Sequence, residues 1–383
     1  MYVLGVDPTK SRKVYPLFCT AFAAPGRKGW LNWLPDTLPL LAYLIKFGAD
    51  IYLPLNEDEM LIHFLFEFPE HEALEVLVQE PCASRIDFDR RDQQGRTVLM
   101  AACDWQRCLG DHPRKSRQAP KIYKTGPPVE ILGLGADATL VDPSGKTALH
   151  HLLSNPGFPD VVLLEFINRD EVAPTLSQKD GQGFSPLHYA LGTLRPAVCE
   201  ALLAKGADLL EPDPHGRTAL HYIASQCLLQ DRAMSPFGRH THELADEFFD
   251  GCVSLWQRYL SLGGSINAVD EAGETPLHAY LSMLDPQREQ EKTHCHVEHY
   301  NSLFSENTGV DVFAVNNAGE TMLHKIAARP VSRYLLDGHD KALFLMMMDK
   351  GLDPLKEDTN GRSALDVASA CEKDDIVGLL GRK

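Results

Sequence analysis

The chain has 383 residues, a net charge of −16 and nine cysteines. A field of that sign repels phosphate backbones, so general nucleic-acid binding is not expected. There is no run of about 18 apolar residues to cross a membrane, and the N-terminus lacks the charged-then-apolar layout of a signal peptide. The cysteines stand singly, without a C-x-x-C pair, which fits core fillers in a reducing compartment. A cytoplasmic or nuclear protein is the expectation.

In chain order, Leu4-Gly5-Val6-Asp7-Pro8 reads as the end of a repeat whose first helix is absent. Tyr15-Pro16-Leu17-Phe18 and Met60-Leu61-Ile62-His63 fill a slot that becomes clear further on, with Phe47-Gly48-Ala49-Asp50 upstream of the second. From Asp92 the slot has a full signature, D-x-x-G-x-[ST]-x-L. It returns at Asp92–Leu99, Asp142–Leu149, Asp180–Leu187, Asp213–Leu220, Asp270–Leu277 and Asp358–Leu365, and with Asn for Asp at Asn316–Leu323. In five copies the next residue is His: His150, His188, His221, His278 and His324. A second marker locks the first. Gly135, Gly206, Gly263, Gly309 and Gly351 each stand seven residues before the Asp or Asn of the next signature.

These markers resemble ankyrin repeats, whose T-P-L-H-x-A pattern is matched best by Ser185-Pro186-Leu187-His188-Tyr189-Ala190 and Thr275-Pro276-Leu277-His278-Ala279. Gly135-Ala136-Asp137 and Gly206-Ala207-Asp208 resemble the family's G-A-D turn. The resemblance covers nearly the whole chain. It implies an all-α solenoid of paired antiparallel helices with short hairpin-like loops, about nine repeats in one array over 1–383. The signature leucines are spaced by 50, 38, 33, 57, 46 and 42 residues, and only one gap equals the ideal period of about 33. Long insertions are therefore expected, at 106–127, 228–243 and 285–296. Residues 1–14 read as the remnant of a preceding repeat or an improvised cap.

Each signature residue has a physical task. Gly can end a helix in a left-handed conformation. Thr or Ser offers an oxygen to the free N–H groups of the next helix. Pro186 and Pro276 fall at the first helical position, where a missing N–H costs nothing. Small residues such as Ala101, Ala102, Ala224, Ala327 and Ala368 let helices approach. The run Leu244, Phe248, Cys252, Leu255 and Tyr259 marks a helix whose business is packing.

No residue set points to a reaction. The signature histidines recur copy after copy, whereas an active site needs one asymmetric constellation. The resemblance implies that they brace the turn by bonding to backbone. There is no Walker loop, H-E-x-x-H or G-x-S-x-G. His294-Cys295-His296-Val297-Glu298-His299 is the densest metal-capable cluster, but its ligands are too close in sequence to converge, and a solvated loop and helix start is expected. No metal and no cofactor are expected. Arg107, Arg114, Lys115, Arg117, Lys121 and Lys124 share one insertion. They read as a solvated loop, or as a docking strip or nuclear import signal.

What is left is surface. The resemblance implies a concave groove, lined by hairpin tips and the exposed ends of first helices, that binds another protein or peptide. Carried over residue by residue, its candidates are Arg96, Trp105, Lys146, Asn155, Phe184, Thr193, His215, Arg217, Gln226, Glu271, Glu274, Met283, Glu320 and Arg329. Trp105 and Phe184 have the profile of interface anchors. The expectation is a monomeric, non-enzymatic scaffold. The alternative, favoured by ends that read as cut in mid-array, is the recognition arm of a larger enzyme or receptor.

Overall fold

The structure is a computed structural model; it describes residues 62, 63, 66, 86–104, 127–226, 242–282, 304, 309–329 and 339–379. Every full signature starts a helix at the residue after its Thr or Ser. These first helices are α1 (Val98–Cys103), α3 (Ala148–Ser154), α5 (Pro186–Gly192), α7 (Ala219–Gln226), α9 (Pro276–Ser282), α10 (Met322–Ala327) and α12 (Ala364–Ala370). The second helices are α2 (Pro127–Gly133), α4 (Asp160–Ile167), α6 (Pro196–Ala204), α8 (His242–Ser261), α11 (His339–Asp349) and α13 (Asp374–Val377). Among the described residues there is no strand. The hairpin-like loops amount to isolated antiparallel bridges, Arg91 with Thr97, Val141 with Thr147 and Glu357 with Ser363. The chain is all-α.

Two compact units divide it, Met1–Gln182 and Gly183–Lys383. In the first, α1 packs on α2 and α3 on α4, while α1 stacks on α3 and α2 on α4. In the second, first helices stack in the order α5, α7, α9, α10 and α12, with second helices packed behind α5, α7, α10 and α12. The first helices are short and almost wholly buried. Ala101, Ala102, Ala224, Ala327 and Ala368 lie at the helix contacts with exposures of 0–1 %. Side chains that small are what let helices in adjacent repeats come close without leaving voids. Cys103, Cys199 and Cys252 are buried fillers, and burial pushes the Cys103 thiol well up. In α8, Cys252, Leu255, Trp256 and Tyr259 form the buried face.

Two glycines show what the loop demands. Gly145 has φ +79, and a Cβ there would stand 2.5 Å from the Gly181 nitrogen of the next loop. Gly206 has φ +99 but open space around it, so only its left-handed backbone requires glycine. The copy before Asp180 carries Ala173 where five others have their helix-ending Gly. There the chain closes differently, through a 3-10 helix over Asp170–Thr175 that contains Pro174.

The expected insertions over 106–127, 228–243 and 285–296 lie almost wholly outside the described residues; α2 opens at Pro127 and α8 at His242. The basic cluster from Arg107 to Lys124, the cluster from His294 to His299 and the remnant at 1–14 lie outside the described residues. Of the copy around Met60, Ile62, His63 and Phe66 are described; they are helical and buried.

Candidate functional site

The signature histidines sit at the third position of their helices and face inward. In His150, His188, His221, His278 and His324 the Nδ1 atom accepts the backbone N–H of the capping Thr or Ser, at 3.0–3.2 Å, and lies 2.8–3.1 Å from its hydroxyl. An Nδ1 that accepts must be unprotonated, so the proton sits on Nε2. From there His188 donates to the Glu211 carbonyl (3.2 Å), His221 to Glu274 (2.9 Å) and His324 to Arg362 (3.0 Å), each in the following loop. His63 reaches the carbonyls of Arg90 and Arg96 in the same way. His188, His221 and His324 thus brace both their own turn and the next one. Where the residue is not His, Met100 and Asp366 take the same N–H, through Sδ and Oδ2.

The opening Asp or Asn divides its work between two atoms. Oδ1 accepts backbone N–H groups of its own turn, as in Asp142 from Ser144 and Lys146, Asp213 from His215 and Arg217, and Asn316 from Ala318 and Glu320. In three copies the other atom meets the residue four later. Asp92 Oδ2 pairs with Arg96 at 3.0 Å and Asp358 Oδ2 with Arg362 at 2.9 Å, whereas the Asn316 amide donates to Glu320 at 2.8 Å. An amide in place of a carboxylate goes with an acceptor in place of a guanidinium. The Asp358 carboxyl is pushed down to about 2, chiefly by the Arg362 N–H.

The tips are joined by main chain. Gly181 N–H donates to Ser144 O (2.8 Å), Glu271 to His215 (2.9 Å), Asn317 to Ala272 (2.9 Å) and Thr359 to Ala318 (3.0 Å). Pro143 and Pro214 hold the donor's place in two other copies and have no N–H to give.

Several residues expected on the groove are spent within the fold. Arg96 is held by Asp92 and, at 3.0 Å, by Asp104. Asp104 also meets His151 Nδ1 at 2.8 Å, and His151 Nε2 meets Asp142 at 3.1 Å. Burial raises both carboxyls, but His151 and Arg96 bring Asp104, and the Ser144 hydroxyl, the Lys146 N–H and His151 bring Asp142, below the usual carboxylate range. Asn155 donates to the Cys103 carbonyl at the end of α1 (3.0 Å). Thr193 caps its own helix through the Tyr189 and Ala190 carbonyls. Glu274 and Glu320 share Lys325. Arg329 departs furthest from expectation. It is 2 % exposed, donates to the Leu281 carbonyl at the end of α9 and pairs with Asp340 at 3.0 Å. Lys373 does likewise for α10, through the Ile326 carbonyl, and also reaches Asp340. These cations complete the free carbonyls of a neighbouring helix.

A second group stays at the surface of the second unit. Phe184 is half-buried, with ring centroids 5.9 Å from His215 and 6.1 Å from Tyr189. His215 and Glu271 pair at 3.3 Å, with side chains 64 % and 69 % exposed. Arg217 lies 5.0 Å over the Tyr222 ring, whose hydroxyl donates to Asp213 at 2.6 Å. Burial first, and Asp213 second, push the Tyr222 hydroxyl well up. Lys146 is half-buried in its tip. Gln226 ends α7, and its side chain, like Trp105 and Met283, lies outside the described residues. Sequence reasoning passed over the exposed Val269, Phe313, Val315 and Leu355, which are 42–59 % accessible. The signal was there: large apolar residues in loops between a helix-ending Gly and a signature.

Among the described residues no group of three or more His, Cys, Asp or Glu could hold a metal ion, and no helix is long and apolar enough to cross a membrane. No family model matches the chain. It is similar to an ankyrin repeat-containing protein of Schizosaccharomyces pombe, 38 % identical over 69 residues, which is 18 % of this chain and 29 % of that protein. It is also similar to the transient receptor potential cation channel subfamily A member 1 of Homo sapiens, 24 % identical over 238 residues, 57 % of this chain and 19 % of the channel. The matches thus span less than a third of either relative. Taken with the recurring signature and the stacked helix pairs, they make this chain an ankyrin repeat protein.

Proposed function

We propose that the chain is a non-enzymatic scaffold that binds a protein or peptide partner along its hairpin tips and first helices. Ankyrin repeats are typically protein-binding modules; the groove and its residues are the finer part of the proposal. The observation that supports it is the cluster of Phe184, Tyr189, His215, Arg217 and Glu271. It puts a half-exposed aromatic ring beside solvent-facing polar groups on one unit. An apolar anchor with a charged rim suits an extended peptide or a helix laid across the tips. Arg96, Glu274 and Glu320 are held by neighbours in the fold, so they contribute rigidity rather than recognition.

The test begins with affinity capture and mass spectrometry to identify a partner. Alanine at Phe184 or Arg217 then costs about 1–3 kcal/mol of binding each. Unchanged affinity in both, with binding abolished by charge removal from Arg114 to Arg117, would move the interface to the insertion. A second reading is favoured by one observation, the match to only 19 % of a much longer channel. On that reading the array is the recognition arm of a larger protein, and the complete open reading frame decides it.

A further inference from the structure

The loop that follows each helix-ending Gly contains one repeated turn. A side-chain oxygen accepts the N–H of the residue two places on: Asp87 from Asp89, Asp137 from Thr139, Asp208 from Leu210, Ser265 from Asn267, Asp311 from Phe313 and Asp353 from Leu355. In two copies the residue so presented, Asp89 or Asn267, ties its loop to the next. Asp89 accepts the Asp137 N–H at 3.0 Å. Asn267 accepts from Asp311 and donates to the Gly309 carbonyl, both at 2.9 Å.

Phe313, one repeat on from Asn267, has no polar group to make that link. A phenyl ring replaces it, 58 % exposed and resting on the backbone of the next loop, 3.7 Å from where a Gly351 Cβ would stand. Leu355 occupies the same place one repeat on, at 59 % exposed. Val269 and Val315, each directly before its signature, add 58 % and 42 %. Large apolar side chains left exposed at matching places of successive repeats are candidates for an interaction site. The exposed charges of these loops, apart from Glu271, which pairs with His215 in the other cluster, are Asp311, Asp353 and Glu357 against Lys356 and Arg362, and Arg362 already holds Asp358. Local excess and the chain's net charge of −16 have the same sign.

We propose that Val269, Phe313, Val315 and Leu355 form a second docking surface, distinct from the Phe184 cluster, for a basic amphipathic segment of a protein partner. Its apolar side covers Phe313 and Leu355. Its cations meet Asp311 and Asp353, whose second carboxylate oxygens are not used by the turn.

The probe is a fluorescent synthetic helix of Leu and Lys, compared with a Leu and Glu counterpart and with a Lys and Ser peptide of equal charge. Fluorescence anisotropy on the full chain shows binding of the Leu and Lys helix alone. The double substitution Phe313→Ser and Leu355→Ser weakens it by at least about tenfold, while Phe184→Ala leaves it within about twofold, which separates this surface from the groove. Hydrogen exchange on the unmodified chain then shows protection at 309–316 and 351–357, a readout that does not depend on any variant folding. Equal binding of the Lys and Ser or the Leu and Glu peptide would overturn the proposal, as would protection confined to 181–184 and 214–217. Self-association of the unmodified chain in sedimentation that the double substitution abolishes would also overturn it, assigning the surface to a second copy.

Discussion

A buried histidine that accepts at one nitrogen and donates from the other is committed to its neutral form. Protonating Nδ1 would turn a donor toward the Thr N–H it now accepts. Burial holds the His221 and His278 rings below the ordinary value of 6.5, and the Glu274 carbonyl and the Glu274 charge respectively offset part of it. The unfolded chain therefore takes up protons first on acidification. Their contribution to stability is complete above about pH 6.5 and is lost as pH falls toward the folded values, at up to about 1.4 kcal/mol per pH unit for each ring. Carboxyls held low, including Asp104, Asp142 and Glu320, add a second loss below about pH 4. Urea unfolding at pH 7.5 and 5.5 checks the first stage. The His221→Gln, His278→Gln variant starts less stable but loses less between the two pH values; an equal loss would mean that these rings do not drive the acid response.

Within one loop-and-helix element, the parts legible from residue types were those fixed by local chemistry. The caps, Pro186 and Pro276 at helix starts and the left-handed glycines each follow from a single residue's conformational limits. What was not legible depends on the next repeat. Gly145 and Gly206 look alike in sequence, both glycines with positive φ. Yet a Cβ on the first meets backbone at 2.5 Å and on the second meets nothing. Alanine at Gly206 is expected to cost about 1–2 kcal/mol of backbone strain. Gly145→Ala adds a clash with main chain that cannot rotate away, so its loss exceeds that of Gly206→Ala in the same chemical unfolding measurement. Equal losses would show that the tips shift freely past one another. Arg329 and Asn155 were hidden for a similar reason. Both read as polar groups at helix ends, and only the stack reveals that a neighbouring helix's carbonyls lie within reach.

Stability along a repeat array is carried by interfaces between neighbours, so damage spreads by adjacency rather than by distance along the chain. In the second unit the α9, α10 and α12 helices are joined by more than apolar contact. Arg329 and Lys373 converge on Asp340 while each closes the carbonyl end of another helix, Arg329 at Leu281 and Lys373 at Ile326. Removing Arg329 leaves the Leu281 carbonyl buried without that donor, at a cost of about 1–3 kcal/mol, and removes one cation from Asp340. Arg329→Met keeps most of the volume and isolates the polar loss. Native-state hydrogen exchange on this variant should show faster exchange in α9, α10 and α12, the helices on either side of the lost bond. Exchange in α1 and α3, which lie in the other compact unit, should stay unchanged. Acceleration confined to the residues next to Arg329 would show that the network does not couple these repeats. Uniform acceleration over both units would mean that they unfold as one.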